Sequence, residues 1–162
     1  MNLKELSVIS LTMLMLSFMG ILMCVSLLFG EDSEGSGTSG ISPGGNSVSE
    51  EVLKHRSMVE KYAKESDILD YVPILLAIIQ VESGGTMEDV MQSSESAGLP
   101  PNSLSTEASI KQGCIYFASL VKSSKELGCD QDSIIQAYNY GGGYLNYVAK
   151  NGKKHSFTLA ES

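Results

Sequence analysis

Three short stretches hold the residues whose types and spacing could do chemistry. The first is "PILLAIIQVESGG", Pro73 to Gly85, a nearly unbroken apolar run that ends on one carboxylate, Glu82. A glutamate closing a buried helix meets two effects of the same sign: burial penalises the anion, and the helix C-terminus carries partial negative charge. Both hold the proton on, although a solvent-exposed glutamate fraying the last turn fits this stretch equally well. A carboxylic acid that stays protonated near neutral pH can protonate the leaving oxygen of a glycosidic bond as it breaks. Gly84 and Gly85 then turn the chain without bulky side chains, which is expected to leave room for a polymer.

The second stretch is "EDVMQSSES", Glu88 to Ser96, and the third is "AYNYGGGY", Ala137 to Tyr144. Tyrosines beside glycines offer flat amphipathic faces to sugar rings, and the amides of Gln92 and Asn139 can each donate and accept. Tyr138 fits the core of a helix as well as a cleft wall. Two-carboxylate hydrolysis needs a second acid at about 5–5.5 Å for retention or about 6.5–9.5 Å for inversion. Asp89 and Glu95 are the nearest in sequence, and either also fits a plain surface acid. If neither reaches, one carboxylate serves first as acid and then as base.

Helices must position these groups. A first is expected over about Ser49–Lys64, with Val52, Met58, Val59 and Tyr62 at helical spacing and Ser47 with Glu50 as a capping box. A second, about Ile68–Ser83, is apolar on every side and should be buried all round, with Pro73 at its first turn or at a kink. Gly84 to Ser105 reads as irregular. Ser105 is expected to cap a third helix to about Glu126, with Ile110, Cys114, Phe117 and Val121 on one stripe and Gly128 beyond its end. A fourth, about Asp130–Tyr140, stops at "GGG", and a short fifth covers "YLNYVAK". Fifteen residues of helix hold Cys114 and Cys129 about 22 Å apart, too far for a disulfide, so two free thiols are expected. His55 and His155 have no cluster of ligating side chains near them in sequence, and neither a metal nor a cofactor is expected.

Upstream, Leu6 to Gly30 contains no charged residue. As a helix it would be about 38 Å long, enough to cross a hydrocarbon core of about 30 Å. Cleavage after Gly30 would place Leu28 where a small residue is wanted, so an uncleaved anchor is favoured over a signal peptide, the chain being secreted if it is cut. Lys4 before the segment favours the remainder outside. Residues 31–47, rich in Gly and Ser, read as a flexible linker, and residues 48–162 as the folded domain. The 162-residue chain has a net charge of −8 and one arginine, Arg56, which argues against nucleic acid as a partner.

With Glu82-Ser83, Met91-Gln92 and Ala137-Tyr138-Asn139 in that order, the sequence resembles the lysozyme-like superfamily of goose-type lysozymes and soluble lytic transglycosylases. The wording "MQSSES" and "AYNYGGG" is most similar to the muramidase domain of CwlT-type bifunctional, membrane-anchored cell-wall hydrolases found with Gram-positive conjugative elements. The resemblance implies a mainly α, lysozyme-like domain that cuts the β-1,4 bond between N-acetylmuramic acid and N-acetylglucosamine. Glu82 is implied as the catalytic acid, with Gln92, Ser94, Glu95, Tyr138, Asn139 and Tyr140 contacting the peptidoglycan strand. A cell-envelope secretion or conjugation apparatus is implied as a further partner.

The single-carboxylate route corresponds in that superfamily to a transglycosylase forming 1,6-anhydro ends, and hydrolysis and transglycosylation both stay open. Proteins of this type carry a second, cysteine-dependent endopeptidase domain and a further loop and closing helix after "KKHSFTLAES", so the domain is expected to be C-terminally incomplete. A wall-binding module without turnover therefore stands as the rival to an enzyme.

Overall fold

The computed structural model describes residues 48–160, and the expected anchor and linker lie outside them. Among the described residues every regular element is helical, and no helix is long and apolar enough to cross a membrane. The helices are α1 (Glu50–Leu53), α2 (Arg56–Glu65), α3 (Val72–Glu82), α4 (Thr106–Leu127), α5 (Gln131–Tyr140), α6 (Gly143–Lys150) and α7 (Phe157–Ala160). Single 3₁₀ turns occupy Leu69–Tyr71 and Glu95–Ala97.

The apolar run forms α3 because nothing in it interrupts a helix once Pro73 has passed the first turn, where a missing N–H costs nothing. Ile74 through Ile79 are all buried, as a helix apolar on every side requires. Each of its buried isoleucines and leucines contributes roughly 1.5–3 kcal/mol when removed from water. α2 packs on both α3 and α4, and α4 in turn packs on α5 and α6. Ile110, Cys114, Phe117 and Val121 form the buried stripe of α4, and Gly128 ends that helix in the left-handed conformation at φ 72°. Cys114 and Cys129 are free thiols.

Several boundaries differ from expectation for identifiable reasons. The first helix is broken after Leu53, where His55 turns its ring to place Nε2 2.9 Å from the Gly85 carbonyl, 30 residues away. Its cap is Ser49 rather than Ser47: the Ser49 hydroxyl accepts from Val52 N at 3.4 Å. The second helix begins as the 3₁₀ turn, after Asp67 adopts φ 58° and ends α2. Ser105 occupies the cap position of α4, but its side chain makes no capping bond. α5 is capped by Asp130, which accepts from Ser133 N at 3.1 Å and from His155 N at 3.2 Å, tying the C-terminal segment to the bundle. Leu159 of α7 packs against the edge of the core.

Candidate active site

α3 delivers Glu82 as its last residue, half-buried, and Ser83 fixes the chain that follows. The Ser83 hydroxyl donates to the Val90 carbonyl (2.8 Å) and accepts from Gly85 N (3.1 Å), so the helix end and the next loop move as one. Of the two glycines, Gly85 serves packing, whereas a Cβ at Gly84 would meet only the end of the Gln80 side chain, at 4.0 Å. Gly85 has φ 78°, and a Cβ built there would lie 2.8 Å from Glu51 C and Val52 N in the backbone of α1. Gly85→Ala therefore meets both an unfavourable dihedral and an immovable neighbour. We expect it to cost about 2–4 kcal/mol in urea unfolding, against about 1 kcal/mol for Gly98→Ala, where φ is 74° and the space is empty.

The loop after this turn is organised around Asp89, which is 1% exposed. Its Oδ1 accepts from Ser93 N (3.0 Å) and the Ser109 hydroxyl (2.6 Å); its Oδ2 accepts from Ser94 N (3.2 Å) and the Ser94 hydroxyl. Burial on its own would raise this carboxyl, but the Ser109 and Ser94 hydroxyls and the two N–H groups hold it below the usual carboxylate range. Both oxygens are thus engaged by the loop, and Asp89 does not line the cleft. Ser94 is placed differently from expectation: its side chain faces inward, donating to Asp89 and accepting from Ser103 N (3.0 Å) and Leu104 N (3.2 Å). A buried carboxylate draws in the hydroxyl that satisfies it, so Ser94 shapes the loop from behind.

Two further bonds hold the loop to the bundle. Met91 N donates to Ser109 Oγ (3.0 Å), and the Tyr138 hydroxyl donates to the Met91 carbonyl (3.0 Å). Gly113 on α4 makes room for the Met91 side chain, since a Cβ there would fall 2.6 Å from its sulfur. Gln92, held between these anchors, has φ 47°, a conformation that costs a non-glycine residue on the order of 1 kcal/mol and persists only where its surroundings impose it.

What results is a cleft of about 440 Å³. Glu82, Gln92, Glu95, Tyr138, Asn139 and Tyr140 all line it, so six of the seven residues implied by the family resemblance come together, while Ser94 and the candidate second acid Asp89 lie behind the wall. Ser93, Ser96, Tyr116 and Gly141 join them. Tyr116 had no signal of its own: it sits beside the buried stripe of α4, and its ring contact with Tyr138, at 5.4 Å between centroids, together with a hydrogen bond from its hydroxyl to the Ala137 carbonyl (3.4 Å), holds it at the wall.

The electrostatics follow from this burial. Desolvation, with the nearby charge of Asp89 adding to it, pushes Glu82 up to about 7. Burial, followed by the charge of Glu82, raises the Tyr138 phenol well above its ordinary value, so it stays a donor to Met91. Asn139 Nδ2 is buried without a hydrogen-bond partner, which leaves a donor at the cleft wall. Among the described residues no group of three His, Cys, Asp or Glu side chains could hold a metal ion. The arrangement is a carboxyl group raised toward neutrality beside amide and phenol groups, suited to protonating an oxygen of a polar ligand.

The lysozyme-like family matches residues 49–162, and the chain belongs to that family. It is 42% identical over 137 residues to the bifunctional muramidase/DL-endopeptidase CwlT of Bacillus subtilis (strain 168), an alignment covering 81% of this chain and 39% of that protein. It is 35% identical over 112 residues to pneumococcal vaccine antigen A of Streptococcus pneumoniae serotype 4, covering 68% and 55%. A crystal structure of a protein described as similar to a lipoprotein of the NLP/P60 family, from Staphylococcus aureus subsp. aureus Mu50, shares 66% identity with a TM-score of 0.70, covering 71% of this chain and 39% of that one. The chain thus spans about two-fifths to just over half the length of these relatives.

Proposed function

We propose that this domain is a peptidoglycan glycosidase, cutting the β-1,4 bond between N-acetylmuramic acid and N-acetylglucosamine with Glu82 as general acid. The observation that carries the reading is Glu82 itself: a carboxyl lifted to about 7, at a cleft wall of tyrosine and amide side chains. At neutral pH about half of such groups hold a proton, which Glu82 gives to the leaving glycosidic oxygen as the bond breaks. The similarity to a protein named as a muramidase supports the choice of substrate.

Glu95 is the other carboxylate at the cleft wall, yet the charge that moves Glu82 is that of Asp89. Asp89 has both oxygens bonded behind the loop, so of the two candidate partners Glu95 is the one at the cleft. Two routes fit what remains. Either Glu95 activates a water for inverting hydrolysis, or the ionised Glu82 takes a proton from the sugar's own 6-hydroxyl as that oxygen closes onto the anomeric carbon. The first leaves a reducing end; the second leaves a 1,6-anhydro end.

Activity should fall about tenfold per pH unit above pH 7, because the raised Glu82 carboxyl loses its proton there; initial rates across pH 5–9 check this. The reading extends to location: the uncharged stretch Leu6–Gly30 would tether the domain outside the cytoplasmic membrane, facing the wall, to open it locally for a secretion or conjugation apparatus. Mass spectrometry of peptidoglycan digested by the purified full chain tests the central proposal. Reducing or anhydro muropeptides, absent with Glu82→Gln, are the expected result. Retention on insoluble peptidoglycan with no soluble product would overturn it in favour of a binding module.

A further inference from the structure

Loop 99–104 meets the Gln92 side chain through Asn102. Gln92 Nε2 donates to the Asp89 carbonyl (2.9 Å) and to Asn102 Oδ1 (2.8 Å). A carbonyl can only accept, so the Asp89 bond fixes which end of the Gln92 amide is the NH₂ group, and Asn102 must then present its oxygen. Both N–H bonds of Gln92 are thereby used, and Oε1 remains as its acceptor at a cleft wall. Asn102 is at φ 58°, the left-handed region that asparagine tolerates better than other non-glycine residues.

The loop does not depend on that side chain for its position. Ser103 N and Leu104 N donate to Ser94 Oγ, and Leu99 N donates to the Ser94 carbonyl (3.0 Å). The same residue, Asp89, therefore bears on both partners of the Gln92 amide: its main-chain carbonyl accepts directly, and its carboxylate holds Ser94, to which the loop carrying Asn102 is bonded. We propose that Asn102 is a positioning residue for the glycosidase, locking the Gln92 amide so that it offers the glycan an acceptor only and selects for a hydroxyl or acetamido N–H at that point. This rests on the glycosidase reading above.

The test uses the full chain with Asn102→Gly, which keeps the left-handed backbone and removes the acceptor, and Asn102→Asp, which restores an acceptor. Asn102→Gly is expected to lower kcat/KM on peptidoglycan about 3- to 10-fold with an unchanged Tm, Asn102→Asp to return most of it, and Asn102→Gly to add nothing in a Gln92→Ala background. The side-chain amide resonances of Gln92 should shift in Asn102→Gly and move back in Asn102→Asp. Equal impairment of both variants, effects that multiply with Gln92→Ala, or unmoved Gln92 resonances would overturn the proposal. An inactive wild type would defeat the glycosidase reading alone, and the resonances would still decide whether Asn102 acts on Gln92.

Discussion

Glu82→Gln should abolish turnover while making the protein more stable at alkaline pH. Removing a general acid costs about 10²- to 10⁴-fold in rate, and glutamine has no proton to give. The stability effect follows from linkage. Burial raises Glu82 from 4.5 to about 7, so the folded state binds a proton that the unfolded chain has already released over that interval. The stability contributed by this group is full below about pH 4.5 and is lost as pH rises through 7. The loss approaches about 3 kcal/mol, and a glutamine of similar shape does not suffer it. Urea titrations at pH 5 and pH 8 should therefore show the variant close to wild type at the first and clearly more stable at the second.

Asp89→Asn has the second large effect, of the opposite sign on stability. Four donors converge on the two Asp89 oxygens, and one side of an asparagine would face them with a further N–H group. Breaking a buried charged network of this kind costs about 3–5 kcal/mol. Because Ser94 and the Gln92 loop hang on the same group, activity should fall at least 100-fold by analogy with other misplaced sites. A second signature separates this from simple unfolding. Removing the negative charge relieves part of what raises Glu82, so whatever activity survives should lose its alkaline limb at a lower pH than wild type. Thermal melts and pH–rate profiles of the same preparation check both halves.

The contrast between these two acids shows what was legible in the sequence. Glu82 announced itself because the apolar run before it is local: a helix apolar on every side must be buried, and its last residue inherits that burial. The mainly helical class and the ends of α4, α5 and α6 were equally local, set by Gly128, Asp130 and the glycine run. Asp89 and Ser94 sit in "EDVMQSSES", a polar stretch that looks exposed, and their burial depends on Ser109 on a distant helix. The same holds for the break at His55 and for Gly85, whose reasons lie 30 or more residues away on the other partner. Tyr116 was hidden because helical periodicity reports which face is buried, not which ring will meet Tyr138.

Glycosidase chemistry at this site requires Glu82 to carry its proton near neutrality at the cleft wall. Titrating its side-chain carboxyl carbon by NMR in the full chain, with Glu82→Gln to assign the signal, measures this directly. A midpoint near 7, moving down in Asp89→Asn, is the predicted result. A midpoint near 4.5, the value of an ordinary glutamate in water, would contradict it.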